Sequence, residues 1–144
     1  NNQKNSGMQN IVIPVGNFVP RKKIEFLLIF TKIYRIKIHL VASLEKIGER
    51  DSERTALLDT YSILKNGLNS QVEYYLLESS DFPKATLKYA ETIGADLILV
   101  NPDTETKTSS FLGKYINELV PATSSIKFLF IQPNSEAIRF RYPK

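Results

Sequence analysis

The 144-residue chain contains no cysteine and one histidine, His39. The first absence excludes disulfides, thiolate nucleophiles and cysteine-containing zinc sites, and it suits a reducing compartment. The second leaves His39 without the partners of a His-rich metal site. Ser109, Ser110 and Asp103 supply the residue types of a nucleophilic triad, but a triad is defined by contact geometry and not by inventory. The longest apolar helical stretch, Ile24 to Phe30, falls far short of the roughly 20 residues that span a bilayer. No signal peptide, internal repeat or low-complexity tract is evident, and a cytoplasmic location without membrane insertion is expected. The polar opening from Asn1 to Gly7 reads as a flexible leader, or as the start of a domain cut from a longer protein.

A chain of this length can bury roughly 68–70% of the surface it exposes when unfolded, enough for one domain without staples. The formal charge of +4 is uneven: residues 1–40 hold seven Lys or Arg and one acid, Glu25. Such a bias can attract polyanions. However, Arg21, Lys22, Lys23, Lys32, Arg35 and Lys37 lie in or beside one expected helix, and a solvated helix side accounts for them, so no nucleic-acid partner is expected.

Hydrophobic patterning gives a strand-then-helix alternation. Ile11 to Val15 is apolar on both sides, as in a strand covered by helices on two faces. Pro14 must end its ladder, and Gly16-Asn17 permits a turn. Ile24, Leu27, Leu28, Thr31 and Tyr34 mark the buried face of a helix over 20–34. A strand over Ile36–Ala42 follows, with Lys37, His39 and Val41 on its less buried side. After a polar connection over 43–51, Leu57, Tyr61, Leu64 and Leu68 mark a second helix.

Gln71 to Leu77 alternates as a third strand. Ser80 or Asp81 caps a helix that carries Pro83 in its first turn and closes at Gly94. Ala95 to Val100 is a fourth strand and Ile126 to Ile131 a fifth, with a capped helix between them that ends at Pro121. Ile138, Phe140 and Tyr142 alternate with polar neighbours in a C-terminal arm or short extra strand. The expected divisions are a leader over 1–9, the domain over 10–133 and the arm over 134–144. The expected fold is α/β: a doubly wound three-layer α/β/α domain with right-handed crossovers.

Ile11-Val12-Ile13-Pro14-Val15, Gly94-Ala95-Asp96-Leu97-Ile98-Leu99-Val100 and Phe111-Leu112-Gly113-Lys114, taken in order, resemble the universal stress protein family over about residues 10–133. The chain looks particularly like divergent members found as one half of tandem proteins. The resemblance implies a five-stranded parallel sheet of order 3-2-1-4-5 and dimerisation through the last strand. Ile126, Phe128, Leu129, Phe130 and Ile131 are the expected interface, because an apolar strand at a sheet edge invites another chain. The expected partner is a second copy, or a similar domain forming a pseudo-dimer.

ATP-binding members carry an aspartate after the first strand and a G-x2-G-x9-G-S/T pattern after the fourth. Here Gly16 replaces the aspartate, Val100 and Asp103 replace the earlier glycines, Gly113 is retained and Lys114 replaces the hydroxyl residue. Asp103 and Glu105 put negative charge on the phosphate path, so no cofactor is expected, and ATP or another nucleotide only in an altered mode. Such a pocket, for a small anionic ligand, would lie in the crevice where the strand order reverses. Its candidates are Gly16, Asn17, Asn101 and Asp103, with Lys107, Thr108, Ser109, Ser110, Gly113 and Lys114 near a helix N-terminus. The competing reading is an Asn-Pro-Asp turn with a serine cap.

Gly113-Lys114-Tyr115 lacks the Walker spacing. Glu45, Glu49, Asp51 and Glu53 lack the calcium-loop spacing. No metal or catalytic residue is assigned, and Phe26, Phe30 and Tyr34 read as packing residues. The functional expectation is a non-enzymatic, stress-response-like regulatory or dimerisation module; the alternative is a nucleotide or small-anion sensor.

Overall fold

The computed structural model describes residues 8–49, 51–68, 71–100, 127–131 and 138–141. The elements are β1 (Gln9–Pro14), α1 (Arg21–Phe30), β2 (Ile36–Ser43), α2 (Leu44–Glu49), α3 (Asp51–Gly67), β3 (Gln71–Leu77), α4 (Phe82–Ile93), β4 (Leu97–Val100), β5 (Lys127–Ile131) and β6 (Ile138–Arg141).

Local chemistry explains several of their limits. Pro14 is the last residue of β1, and the ladder resumes beside it where the Val15 N–H donates to the Val41 carbonyl at 2.9 Å. Pro20 occupies the N-cap of α1, a position that needs no donor. The Ser43 hydroxyl accepts from the Lys46 N–H at 3.3 Å, starting α2 inside the segment expected to be a polar connection. Asp81 accepts from the Lys84 N–H at 3.2 Å, and α4 ends at Gly94 in the left-handed region, φ 69°.

Strand alternation sorts the core onto two faces. Ile11, Ile13, Ile38, Leu40, Leu97 and Leu99 pack with Leu27 of α1 and with Leu57 and Leu64 of α3. Val12, Val41 and Ile98 point to the opposite face and pack with Leu87 and Ala90 of α4. The result is a three-layer α/β/α arrangement with the sheet in the middle.

The body of that sheet is four-stranded and parallel, in the order β3-β2-β1-β4. The expectation of a sheet made of five parallel strands alone, drawn from the family resemblance, is corrected, because an antiparallel strand, β6, belongs to the sheet as well. Two further strands extend it on the β4 side: β5 runs parallel to β4, and β6 runs antiparallel to β5. Among the described residues the sheet is therefore six-stranded and mixed, with β3 and β6 at its edges. An antiparallel terminal strand needs only a short return of the chain, whereas a parallel one needs a crossover. Six residues separate β5 from β6 along the chain, enough for such a return.

Helix α1 departs from its expected face and length. It ends at Phe30, and it buries Lys23, Phe26 and Leu27 with Ile24 and Phe30 partly covered. Leu28, Ile29, Ile33 and Tyr34 are exposed. Strand β2 is more uniformly buried than expected, His39 included.

Candidate functional site

Two places in the described residues gather polar chemistry, and a third exposes apolar surface. The first lies at the C-terminal end of β1, beside the point where the strand order reverses between β1 and β4. Gly16 is half-buried and Asn17 exposed. Gly16 has a negative φ, and a Cβ built there would meet none of the described residues within 4 Å. The Lys23 side chain reaches back from α1 and its Nζ donates to the Pro14 carbonyl at 3.1 Å. Lys23 is only 1% exposed, which corrects its placement on a solvated helix side. The reason is its spacing: Lys23, Phe26, Leu27 and Phe30 recur every three or four residues, and the aliphatic stem joins that stripe while the amine finds a backbone acceptor.

Asn101, Asp103, Lys107, Thr108, Ser109, Ser110, Gly113 and Lys114, the remaining candidates for this crevice, lie outside the described residues, as does Ile126. Phe128, Leu129, Phe130 and Ile131 fall in β5. The expected interface assumed that β5 was an edge, but β5 lies between β4 and β6.

The second place is a hydrogen-bonded chain near the N-terminal ends of the strands, on the α4 side. His39 Nε2 contacts Asn10 Oδ1 at 3.1 Å and Nδ1 contacts the Tyr89 hydroxyl at 3.2 Å. The amide oxygen can only accept, so Nε2 carries the proton and the neutral ring's Nδ1 accepts from Tyr89. Asn10 is tied in turn to Asp96: its N–H donates to Asp96 Oδ2 at 2.8 Å, and the Asp96 N–H donates to the Asn10 carbonyl at 2.8 Å. Tyr75 packs its ring on Tyr89 with centroids 5.2 Å apart, and its hydroxyl donates to Glu73 Oε1 at 3.0 Å. Glu73 also pairs with Lys37 at 3.3 Å.

The electrostatics of this chain are those of a structural network. Burial pushes the His39 imidazole below its ordinary value; Lys37 pushes the same way and Glu73 opposes. Burial raises the Tyr89 phenol well above its ordinary range, with Tyr75 and Glu73 adding to the effect. Hydrogen bonds from Tyr75 and Lys37 lower Glu73. At neutral pH the ring is uncharged and both its nitrogens are engaged, an arrangement that holds β1, β2 and α4 together.

The chain matches no protein-family model and no curated protein. Together with the sheet described above, this overturns the resemblance to universal stress proteins. The reading of Gly16, Val100, Asp103 and Lys114 as remnants of that family's nucleotide motif falls with it. Among the described residues no three or more His, Asp or Glu side chains converge as a metal site. Asp51 of the acidic stretch instead accepts from Arg54 at 2.7 Å, and Glu53 is buried. Among the described residues no helix is long and apolar enough to cross a membrane.

The third place is the outer edge of β3. Tyr74, Tyr75 and Leu76 are 42%, 43% and 38% exposed, although each belongs to a strand. Sequence reading gave only an alternating third strand over Gln71–Leu77 and assigned no exposed surface to it. The signal was present in the two adjacent tyrosines, whose amphipathic rings tolerate a half-exposed position.

Proposed function

We propose that this chain is a protein-association module that pairs with a second copy of itself or with a similar domain. The observation that carries the reading is the consecutive exposure of Tyr74, Tyr75 and Leu76 on a terminal strand. Proteins usually blunt such edges with lysine, proline or a bulge; β3 has neither lysine nor proline, and its one charged residue, Glu73, is already paired with Lys37. A non-enzymatic role fits the engagement of His39 with Asn10 and Tyr89, and a reducing compartment such as the cytoplasm fits the cysteine-free composition. Sedimentation velocity of the full chain over a concentration series tests the proposal. A heavier species that grows with concentration is expected, and strictly monomeric behaviour throughout refutes the homodimer form.

A second reading rests on a different observation. The Lys23 amine, buried and bonded to the Pro14 carbonyl two residues before Gly16, supports a small-anion sensor in the crevice between β1 and β4. Calorimetry with inorganic phosphate, AMP and ATP, with and without magnesium, tests it. Saturable heat that disappears in Lys23→Met is expected on this reading, and absence of heat across the panel refutes it.

A further inference from the structure

We infer that the second copy docks antiparallel along β3 with Tyr74 on the twofold axis, joining the two six-stranded sheets edge to edge. This inference rests on the association reading above and gives it a register. Residues opposite each other in a sheet share a face, so their numbers in a self-paired antiparallel strand must have an even sum. One residue therefore always meets its own copy.

Strand length and charge select that residue. Tyr74 is the midpoint of Gln71–Leu77, and only a register centred there pairs all seven residues. It sets Val72 against Leu76 and Glu73 against Tyr75 of the other copy. A register centred on Glu73 would oppose two carboxylates, which is unfavourable directly across a strand pair, and would lose two pairs at the strand end. A register centred on Tyr75 loses pairs at the other end.

The side chains already in place suit the centred register. Tyr74 leans edge-on against Tyr61 of α3, centroids 5.2 Å apart at 81°, so pairing sets four aromatic rings in a row across the axis on that face. On the other face Tyr75, tilted against Tyr89, holds Glu73 of its own strand and faces Glu73 of the second copy. Such an isologous contact uses the same patch on both copies and is closed.

The absence of cysteine makes the test direct, because any disulfide formed by a single-cysteine variant must be intermolecular. In Tyr74→Cys the two Cα atoms would lie about 4.5–5.5 Å apart, within the roughly 4.4–6.8 Å that a disulfide spans. In Leu76→Cys the two copies would be offset by four residues, roughly 13 Å along the strand. Mild oxidation of the full chain is expected to give covalent dimer with Tyr74→Cys and none with Leu76→Cys. Tyr74→Lys, which opposes two ammonium groups, is expected to raise the dimer dissociation constant about tenfold or more. Equal cross-linking at both positions overturns the register. A heavier species that persists in Tyr74→Lys, with no cross-link in Tyr74→Cys, overturns the β3 interface and leaves self-association to another surface. A wild-type chain that stays monomeric overturns this inference and the homodimer together.

Discussion

Acid sensitivity offers a test of the His39 network that can be traced to one residue, because the chain contains no other histidine. His39 is 4% exposed, with Nε2 on Asn10 and Nδ1 on Tyr89. Protonation would place a second N–H against the Tyr89 hydroxyl and a charge in a buried position beside Lys37, only partly offset by Glu73 and its link through Tyr75. The folded pKa is therefore lowered from 6.5. Between the unfolded and folded values the unfolded chain binds the extra proton, so stability must fall as pH falls through that interval. Above the unfolded value the contribution is fully present. One proton sets a ceiling on the slope of about 1.4 kcal/mol per pH unit. Urea unfolding of the full chain followed by circular dichroism, at several values between about pH 5 and 8, would reveal the decline. His39→Gln should remove it. A wild-type stability that is flat across this interval, or an equal slope in the variant, refutes the assignment of a buried neutral imidazole.

Further expectations concern the framework and can be read from the same unfolding curves. Leu27→Ala empties a fully buried position between α1 and the sheet and should destabilise by about 2–5 kcal/mol. Gly94→Ala meets no steric obstacle among the described residues but must hold φ at 69°; the backbone penalty alone should be about 1–2 kcal/mol. Asp81→Ala removes the acceptor of the Lys84 N–H and should cost about 1 kcal/mol.

Elements with explicit local punctuation were legible from the residues. The limits of β3 match the alternating run from Gln71 to Leu77, and α4 follows its Asp81 cap, Pro83 and Gly94. Helix α1 was less legible because apolar residues occupy more than one side: Ile24, Leu28 and Ile29 compete with Phe26, Leu27 and Phe30 for the buried stripe. The choice was settled by packing against β1 and β2, which also drew in Lys23, a residue whose charge masks its long apolar stem. Sheet edges were the hardest to read. Apolar content made β5 look like an exposed edge strand, yet the same content suits a strand with neighbours on both sides, and only the pairing with β6 decides. The half-exposed tyrosines of β3 likewise resemble core alternation until the strand order is known. The His39 chain joins Asn10, Tyr89 and Asp96 from four separate segments, and no spacing along the sequence announces it.

The reciprocal bonds between Asn10 and Asp96 also bear on how the chain reaches its fold. They fasten the beginning of β1 to the beginning of β4 across 86 positions, and β1 sits between β2 and β4. During synthesis β1 and β2 can pair early, but the other side of β1 stays unpaired until β4 has emerged. Closing so distant a contact is slow relative to local structure, and an apolar strand left open in the meantime is prone to aggregate. Ile11, Val12 and Ile13, deeply buried in the finished domain, are thus among its most vulnerable residues while it is being made.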